Sequence, residues 1–258
     1  MTIVFSDLHL GKVPADDASR LRELGDCIRH FRDERALERV IFLGDTFDAF
    51  IEYPNHIPYP VIQWISLARE LQKEGLVIEY FAGNHDRWHL GYIEKELNLK
   101  IHRDPLVRSI EGKKVWLEHG DCVEEHRGLV GFLKSFSSKP WVYFLYRTFL
   151  PFGLGQHVAA WVSKTFSGFT IKPKTVAALK SYALQKLAQN ECEVIIMGHC
   201  HEASMDTVHP QVGSTASVGI YANAGNWHHS RSFVLLSDQI ALCKWSNSEL
   251  SMLRESNF

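Results

Sequence analysis

Paired cysteines, long apolar runs and, over one extended segment, acidic side chains are what this sequence lacks. Its five cysteines (Cys27, Cys122, Cys192, Cys200 and Cys243) are an odd number with no CxxC pair, which argues against a disulfide framework and fits a reducing cytosol. The opening residues MTIVFSDLHLGK hold no basic leader followed by a long apolar run, so no signal peptide is expected. The charge-free run 148–163 is too short to span a bilayer and is broken by Pro151, Gly153 and Gly155, which argues against a transmembrane helix. No internal repeat or low-complexity tract is visible.

What remains suits one globular body of 258 residues, 45% hydrophobic and 22% charged, with a sizeable core. The net charge of −2 conceals a division. Between 127 and 190 there is no Asp or Glu, while Arg127, Lys134, Lys139, Arg147, Lys164, Lys172, Lys174, Lys180 and Lys186 supply cations. Aromatics from Phe132 to Tyr182 stand among them, including Trp141, Tyr143, Phe149 and Trp161. A cationic segment in an anionic scaffold marks an inserted functional element. The expected organisation is a single domain, 1–258, with a helical insertion at 122–190. Basic and aromatic residues together suit an anionic membrane boundary and also single-stranded nucleic acid. A subdomain that only packs is the third reading. The apolar stretches favour acyl chains over bases, so nucleic acid is not the expected partner. No obligate protein partner is implied.

Apolar, β-rich runs occupy 3–5, 40–43, 77–82, 115–117 and 194–197, and each leads directly into polar residues. Between the first three lie helical faces: Leu21, Leu24, Ile28 and Phe31, then Val61, Trp64, Ile65, Ala68 and Leu71. Strand–helix–strand alternation predicts a mainly parallel sheet with right-handed crossovers. Residues 110–115 read as a hairpin turn, and 218–222, 232–236 and 240–245 as antiparallel strands. The expected fold class is α/β, with two sheets face to face and helices outside. Sites of such sheets lie beyond the carboxyl ends of the strands.

That edge receives Asp7 and His9, then Asp45, Asn84, His119, His199 and His201. Asp7 and His9 are expected on one side of a strand end, because side chains two apart in a strand point the same way. The set offers carboxylate, carboxamide and imidazole donors with no thiolate. It suits two divalent ions of the Mn²⁺, Fe²⁺ or Zn²⁺ type rather than a structural zinc. Only two of the seven are anionic, so the centre stays net positive and attracts a phosphate ester. In the stretch GNHDRW, His85 reads as the group giving a hydrogen bond or proton to the leaving oxygen. Asp86 reads as the carboxylate that orients His85. Cys200 reads as packing, and His228 and His229 as surface-turn residues.

Five motifs carry a resemblance: Asp7-Leu8-His9-Leu10-Gly11, Gly44-Asp45-Thr46-Phe47-Asp48, Gly83-Asn84-His85-Asp86, His119-Gly120-Asp121 and Gly198-His199-Cys200-His201. With them the chain resembles the calcineurin-like metallophosphoesterases, whose fold is a four-layer α/β/β/α sandwich. The resemblance implies one metal held by Asp7, His9, Asp45 and His201. It implies a second held by Asp45, Asn84, His119 and His199, with Asp45 bridging, and manganese as the leading metal. Within that family, the stretch after Gly44, the helical insertion and Tyr221-Ala222-Asn223-Ala224-Gly225-Asn226-Trp227 look like the UDP-2,3-diacylglucosamine hydrolases of lipid A synthesis. Those enzymes split a pyrophosphate into UMP and an acylated sugar phosphate. The best-known branch has Arg where this chain has His85. The implied substrate is a nucleotide-linked glycolipid, and the implied place is the cytoplasmic face of an anionic membrane, met through 127–190. A soluble metal-dependent phosphodiesterase or nuclease is the alternative enzyme. A protein-binding scaffold on the same fold is the alternative of another class.

Overall fold

Alternate residues of the N-terminal strands go to different neighbours. In β1 (Thr2–Phe5) and β2 (Arg39–Leu43), Ile3, Phe5, Val40 and Phe42 join one buried cluster, while Val4, Ile41 and Leu43 join another, as the twofold pleat dictates. Both faces are covered, which is why these strands read as unbroken apolar runs. The computed structural model describes residues 1–124, 139–166, 173–208, 218–246 and 249–256.

The first sheet adds β3 (Val77–Phe81) and β4 (Ile101–His102) in parallel, and β10 (Ser232–Leu236), β11 (Ile240–Ser246) and β12 (Glu249–Ser256) on the other side, in the order β12-β11-β10-β1-β2-β3-β4. The second holds β5 (Leu106–Ile110), β6 (Lys113–Leu117), β7 (Val194–Met197), β8 (Ala203–Val208) and β9 (Gly219–Ala224), in the order β5-β6-β7-β9-β8. Helices α1 (Pro14–Arg35) and α2 (Tyr59–Lys73) cover the outside of the first sheet. The short α3 (Tyr92–Leu97) adds Ile93 and Leu97 to that layer. In α1, Pro14 opens the first turn, Asp16 and Asp17 face its positive end, and Arg32 and Arg35 sit in the last turn, the order the helix dipole favours.

Three buried clusters lie between four layers. One joins helices to the first sheet, one joins the two sheets, and one joins the second sheet to α6 (Pro173–Ala188) through Leu179, Ala183 and Leu187. The fold is therefore an α/β/β/α sandwich. Helix α6, expected as part of one insertion, is its fourth layer. Helices α4 (Pro140–Phe149) and α5 (Phe152–Phe166) dock instead on a satellite cluster of Ile51, Tyr53, Trp88 and Tyr143. The remaining residues expected in the insertion, 125–138 and 167–172, lie outside the described residues.

Two expectations change. Strand β9, expected among antiparallel strands, pairs parallel with β7 and antiparallel with β8, because β8 comes between them in the chain, runs along the sheet edge and reverses the direction before β9 fills the place beside β7. Asp7 and His9 are not on a strand at all. β1 ends at Phe5, and both residues adopt left-handed backbone, φ 54 and 46.

Candidate metal centre

Left-handed backbone is uncommon outside glycine and costs on the order of 1–3 kcal/mol where the surroundings impose it. Here Asp7 (φ 54), His9 (φ 46), Asp45 (φ 52), His199 (φ 67) and His201 (φ 61) all adopt it. Each lies just beyond a strand end, where these reversals, not the strand pleat, turn side chains toward one another. Ligand atoms of Asp7, His9 and His201 lie within 4.8 Å of one another, and so do those of Asp45, His119 and His199. His9, Asp45 and His85 form a third such group.

The glycines ahead of these residues are needed for space. A Cβ on Gly44, itself at φ +87, would run into the His119 ring. A Cβ on Gly198 would run into Ser6 and Asp7. Backbone conformation and close approach thus explain why Gly precedes the chemistry at both places.

The centre is buried and internally braced. Asp7 Oδ2 accepts from Ser6 Oγ at 2.5 Å and from the His199 N–H at 3.0 Å. Its Oδ1 lies 3.1 Å from His201 Nε2 and 3.7 Å from His9 Nε2. The two imidazole nitrogens His9 Nε2 and His201 Nε2 are 3.1 Å apart. Asp45 Oδ1 accepts from the His85 N–H at 2.8 Å, and its Oδ2 lies 3.3 Å from His119 Nε2. His119 Nδ1 donates to the Leu43 carbonyl at 2.9 Å, which leaves Nε2 as the lone-pair nitrogen facing the centre, the arrangement that suits a ligand.

Electrostatics agree with that geometry. Burial alone would raise the Asp45 carboxyl, but His119 and His85 override it and hold the group well below the usual carboxylate range. Burial likewise opposes ionisation of Asp7, and His201 and His9 outweigh it. Burial would lower the His9 imidazole, but Asp48 and Asp7 push it up to about 9. Two carboxylates kept ionised inside a ring of imidazoles are a site for cations.

Whether divalent ions fit is decided by the atoms left over. Asp7 Oδ1 and His119 Nε2 are buried and make no well-formed hydrogen bond, each facing only another ligand group across the centre, His201 Nε2 at 3.1 Å and Asp45 Oδ2 at 3.3 Å. Each belongs to a different group of ligand atoms. The donors are oxygen and nitrogen only, since Cys200 is buried against Met197 and Tyr221. The residues present fit two divalent ions. Asn84 lies on the same turn, exposed, between Gly83 and the His85 N–H that reaches Asp45.

The expected pairing of Asp86 with His85 is corrected. Asp86 Oδ2 accepts from the Thr46 N–H at 2.7 Å, the Phe47 N–H at 3.2 Å and the Tyr80 hydroxyl at 2.6 Å, and Oδ1 accepts from the Gly83 N–H at 2.7 Å. The carboxylate is spent on pinning two backbone turns. His85 Nδ1 meets the carbonyl of Asp48 instead. Burial, the largest influence, lowers the His85 pKa; Nδ1 donates to the Asp48 carbonyl, and Nε2 faces the centre, 3.9 Å from Asp45 Oδ2.

His228, expected on the surface, is buried. Its N–H donates to the Asp7 carbonyl at 3.3 Å, and its ring centroid lies 6.4 Å from that of His9. Arg20, paired with Asp17, contacts His228 and donates to the Leu8 carbonyl at 3.0 Å. Asp17 Oδ2 in turn accepts the Gly11 N–H at 2.8 Å. Sequence reading missed this brace and Asp48. The signal for the brace was an Asp–Arg pair three residues apart on a buried helix face.

Comparison with known proteins follows the same lines. The family described as calcineurin-like phosphoesterase matches residues 2–203. A UDP-2,3-diacylglucosamine hydrolase of Porphyromonas gingivalis is 36% identical over 125 residues, 48% of this chain and 46% of that protein. The alignment thus spans less than half of that relative's length. One from Aliivibrio fischeri is 24% identical over 254 residues, 93% of this chain and 96% of that protein. Among solved structures, the phosphoesterase Yfce of E. coli aligns with a TM-score of 0.45 and 14% identity over 99% of this chain and 97% of that one.

Proposed function

The chain belongs to the calcineurin-like phosphoesterase family and is a metal-dependent hydrolase, and from that premise we propose that it cleaves the pyrophosphate of a UDP-linked acylated glucosamine, releasing UMP and an acyl-sugar 1-phosphate. The carrying observation is the hairpin of α4 and α5, which packs on Trp88 of the loop that follows His85. On α4, Trp141, Leu145 and Phe149 recur every fourth residue, and all are exposed, with Phe144 next to them. On α5, Leu154, Trp161 and Val162 are exposed. Large apolar side chains grouped and exposed on two helices mark a surface that suits an apolar ligand. The opposite face of α4 packs Tyr143 and Tyr146 on Trp88, so the apolar hairpin is anchored to the loop that carries Asn84 and His85.

Asp7, His9, Asp45 and His201 would hold one ion and Asp45, Asn84, His119 and His199 the other, with Mn²⁺ the expected metal. Ions held there supply Lewis-acid activation of water and of phosphoryl oxygens. His85, turned by the Asp48 carbonyl, presents Nε2 toward the centre and exchanges a proton with the leaving oxygen. Lys139 and Arg147 put positive charge on the same hairpin, which favours an anionic membrane surface on the cytoplasmic side. No helix among the described residues is long and apolar enough to cross a membrane.

The test is a substrate panel with added Mn²⁺: a UDP-acylglucosamine, bis(p-nitrophenyl) phosphate and single-stranded DNA. The expected result is the highest kcat/KM on the acylated UDP-sugar, with UMP as a product. Faster turnover of DNA or of the simple diester, with no UMP formed, would establish the phosphodiesterase or nuclease reading instead.

A further inference from the structure

A cavity of about 220 Å³ opens beside His119, at the carboxyl ends of β3, β4 and β6. We infer that it holds the ribonucleoside half of the substrate. The inference rests on the reading of that substrate as a nucleoside diphosphate ester, and names the residues that would recognise its nucleoside.

The cavity's walls carry both signs of charge. Arg87 and Arg103 face Asp104 and Asp121 around it. Arg87 Nη2 donates to Asp121 Oδ2 at 2.7 Å, which fixes one edge of the guanidinium and leaves its fork further N–H donors. Glu118 also borders the cavity but is committed to the Trp116 indole N–H at 2.8 Å and to the Cys122 thiol. A second phosphoryl group would call for a net excess of cations. Two arginines balanced by two aspartates suit a neutral ligand rich in hydroxyls and carbonyls. Carboxylates accept from ribose hydroxyls, and guanidinium N–H groups donate to the carbonyl oxygens of a pyrimidine.

A flat wall completes the fit. The Phe81 and His102 rings stack with centroids 4.7 Å apart and planes at 26°, and both line the cavity. Phe81 is buried in the core and backs His102, whose half-buried ring is the surface on which a base can lie. The volume of about 220 Å³ is below the roughly 300–1,000 Å³ of pockets that enclose drug-sized ligands, so it has no room for long acyl chains.

The two ends of the substrate part at Arg87 and Trp88. Arg87 turns into this polar cavity, and Trp88 turns the other way to stack on Tyr143 of the apolar hairpin. A phosphoryl group at the centre would sit at the mouth of the cavity, because His119 belongs to both.

The experiment uses the full chain with Mn²⁺, hydrolysing bis(p-nitrophenyl) phosphate, and measures inhibition by UMP, 2′-deoxy-UMP and inorganic phosphate. In the unmodified protein UMP is expected to inhibit at least about tenfold more tightly than phosphate, the worth of one good hydrogen-bonded contact. The deoxynucleotide is expected to fall between them. In Arg103→Ala and in Asp104→Ala, both at exposed positions where the core is not opened, the ratio of the two inhibition constants should collapse toward one. Equal inhibition by UMP and phosphate in the unmodified protein, or a ratio untouched in both variants, overturns the inference. If no UDP-glycolipid is cleaved but the UMP preference persists and collapses in the variants, the cavity assignment stands and only the lipid assignment fails. If the glycolipid is cleaved without any UMP preference, the cavity assignment alone falls.

Discussion

The rings of Trp88 and Tyr143 stack with centroids 5.1 Å apart and planes at 27°. The contact joins the loop beyond β3 to helix α4. The Tyr143 hydroxyl then donates to the Glu52 carbonyl, and Gln156 Nε2 donates to the Ile51 carbonyl at 2.8 Å. Both carbonyls follow closely on Asp48, whose own carbonyl receives His85. The hairpin is therefore mechanically linked to the proposed proton donor.

A double-mutant cycle on Trp88→Ala and Tyr143→Ala should give a coupling of about 0.5–1.5 kcal/mol, the usual worth of an aromatic pair. Measured as kcat/KM, the loss should be several-fold larger for an acylated UDP-sugar than for bis(p-nitrophenyl) phosphate. Equal losses on both substrates would make the hairpin a structural element only.

His85 and Asp86 should separate experimentally. His85→Gln should cost roughly 10²–10⁴ in turnover, with the melting temperature kept and the loss shrinking for good leaving groups. Asp86→Asn weakens a carboxylate that receives three backbone N–H groups and the Tyr80 hydroxyl. It should lower stability by about 1–3 kcal/mol, read by denaturant unfolding. A stable Asp86→Asn protein with the kinetic profile of His85→Gln would restore the direct pairing of the two.

Gly198→Ala tests the close approach that assembles the centre. The added methyl must displace Ser6 or Asp7, and Asp7 accepts the His199 N–H from the same turn. Mn²⁺ affinity is expected to fall by at least tenfold while the circular dichroism spectrum stays unchanged. Undiminished affinity would show that the Asp7 turn can move without consequence.

The sandwich was legible because its strands are buried on both faces, so apolar runs and the helical spacings of Leu21 to Phe31 and Val61 to Leu71 announced themselves. The identities of the clustered donors were legible too, since each follows an apolar run. Their geometry was not. Nothing in the pattern Asp7-Leu8-His9 distinguishes a strand pleat from two left-handed reversals. The partner of His85 was misread because sequence adjacency favoured Asp86, while the backbone carbonyl of Asp48 carries no residue signature. His228 was misread for a related reason: its burial depends on Arg20, far away in the chain, and a His-His pair beside Trp227 has the look of a turn. Strand β12 was missed because most of its side chains are exposed, leaving no alternation to read.

Acid stability should report on His89. Burial foremost, with Arg103 nearby, lowers this imidazole from 6.5 to about 3, between the rings of Phe50 and Tyr80. Between those pH values the unfolded chain binds a proton that the folded chain refuses. Stability should therefore fall as pH drops through the window, by about 1.4 kcal/mol per pH unit for this one group. His89→Phe should flatten the pH dependence of unfolding by one proton; an unchanged slope would show that His89 protonates in the folded protein.

The two-ion centre shared through Asp45 is tested most directly by counting metal. Purified chain, stripped with chelator and equilibrated with Mn²⁺, is analysed for bound metal by mass spectrometry of the element and compared with Asp45→Ala. Two ions per chain are expected in the unmodified protein, with binding weakened at both positions and hydrolysis abolished in Asp45→Ala, because its carboxylate lies among the ligand atoms shared with His9 and with His119 and His199. One ion or none in the unmodified protein, or two tightly held ions and normal turnover in Asp45→Ala, would contradict the account.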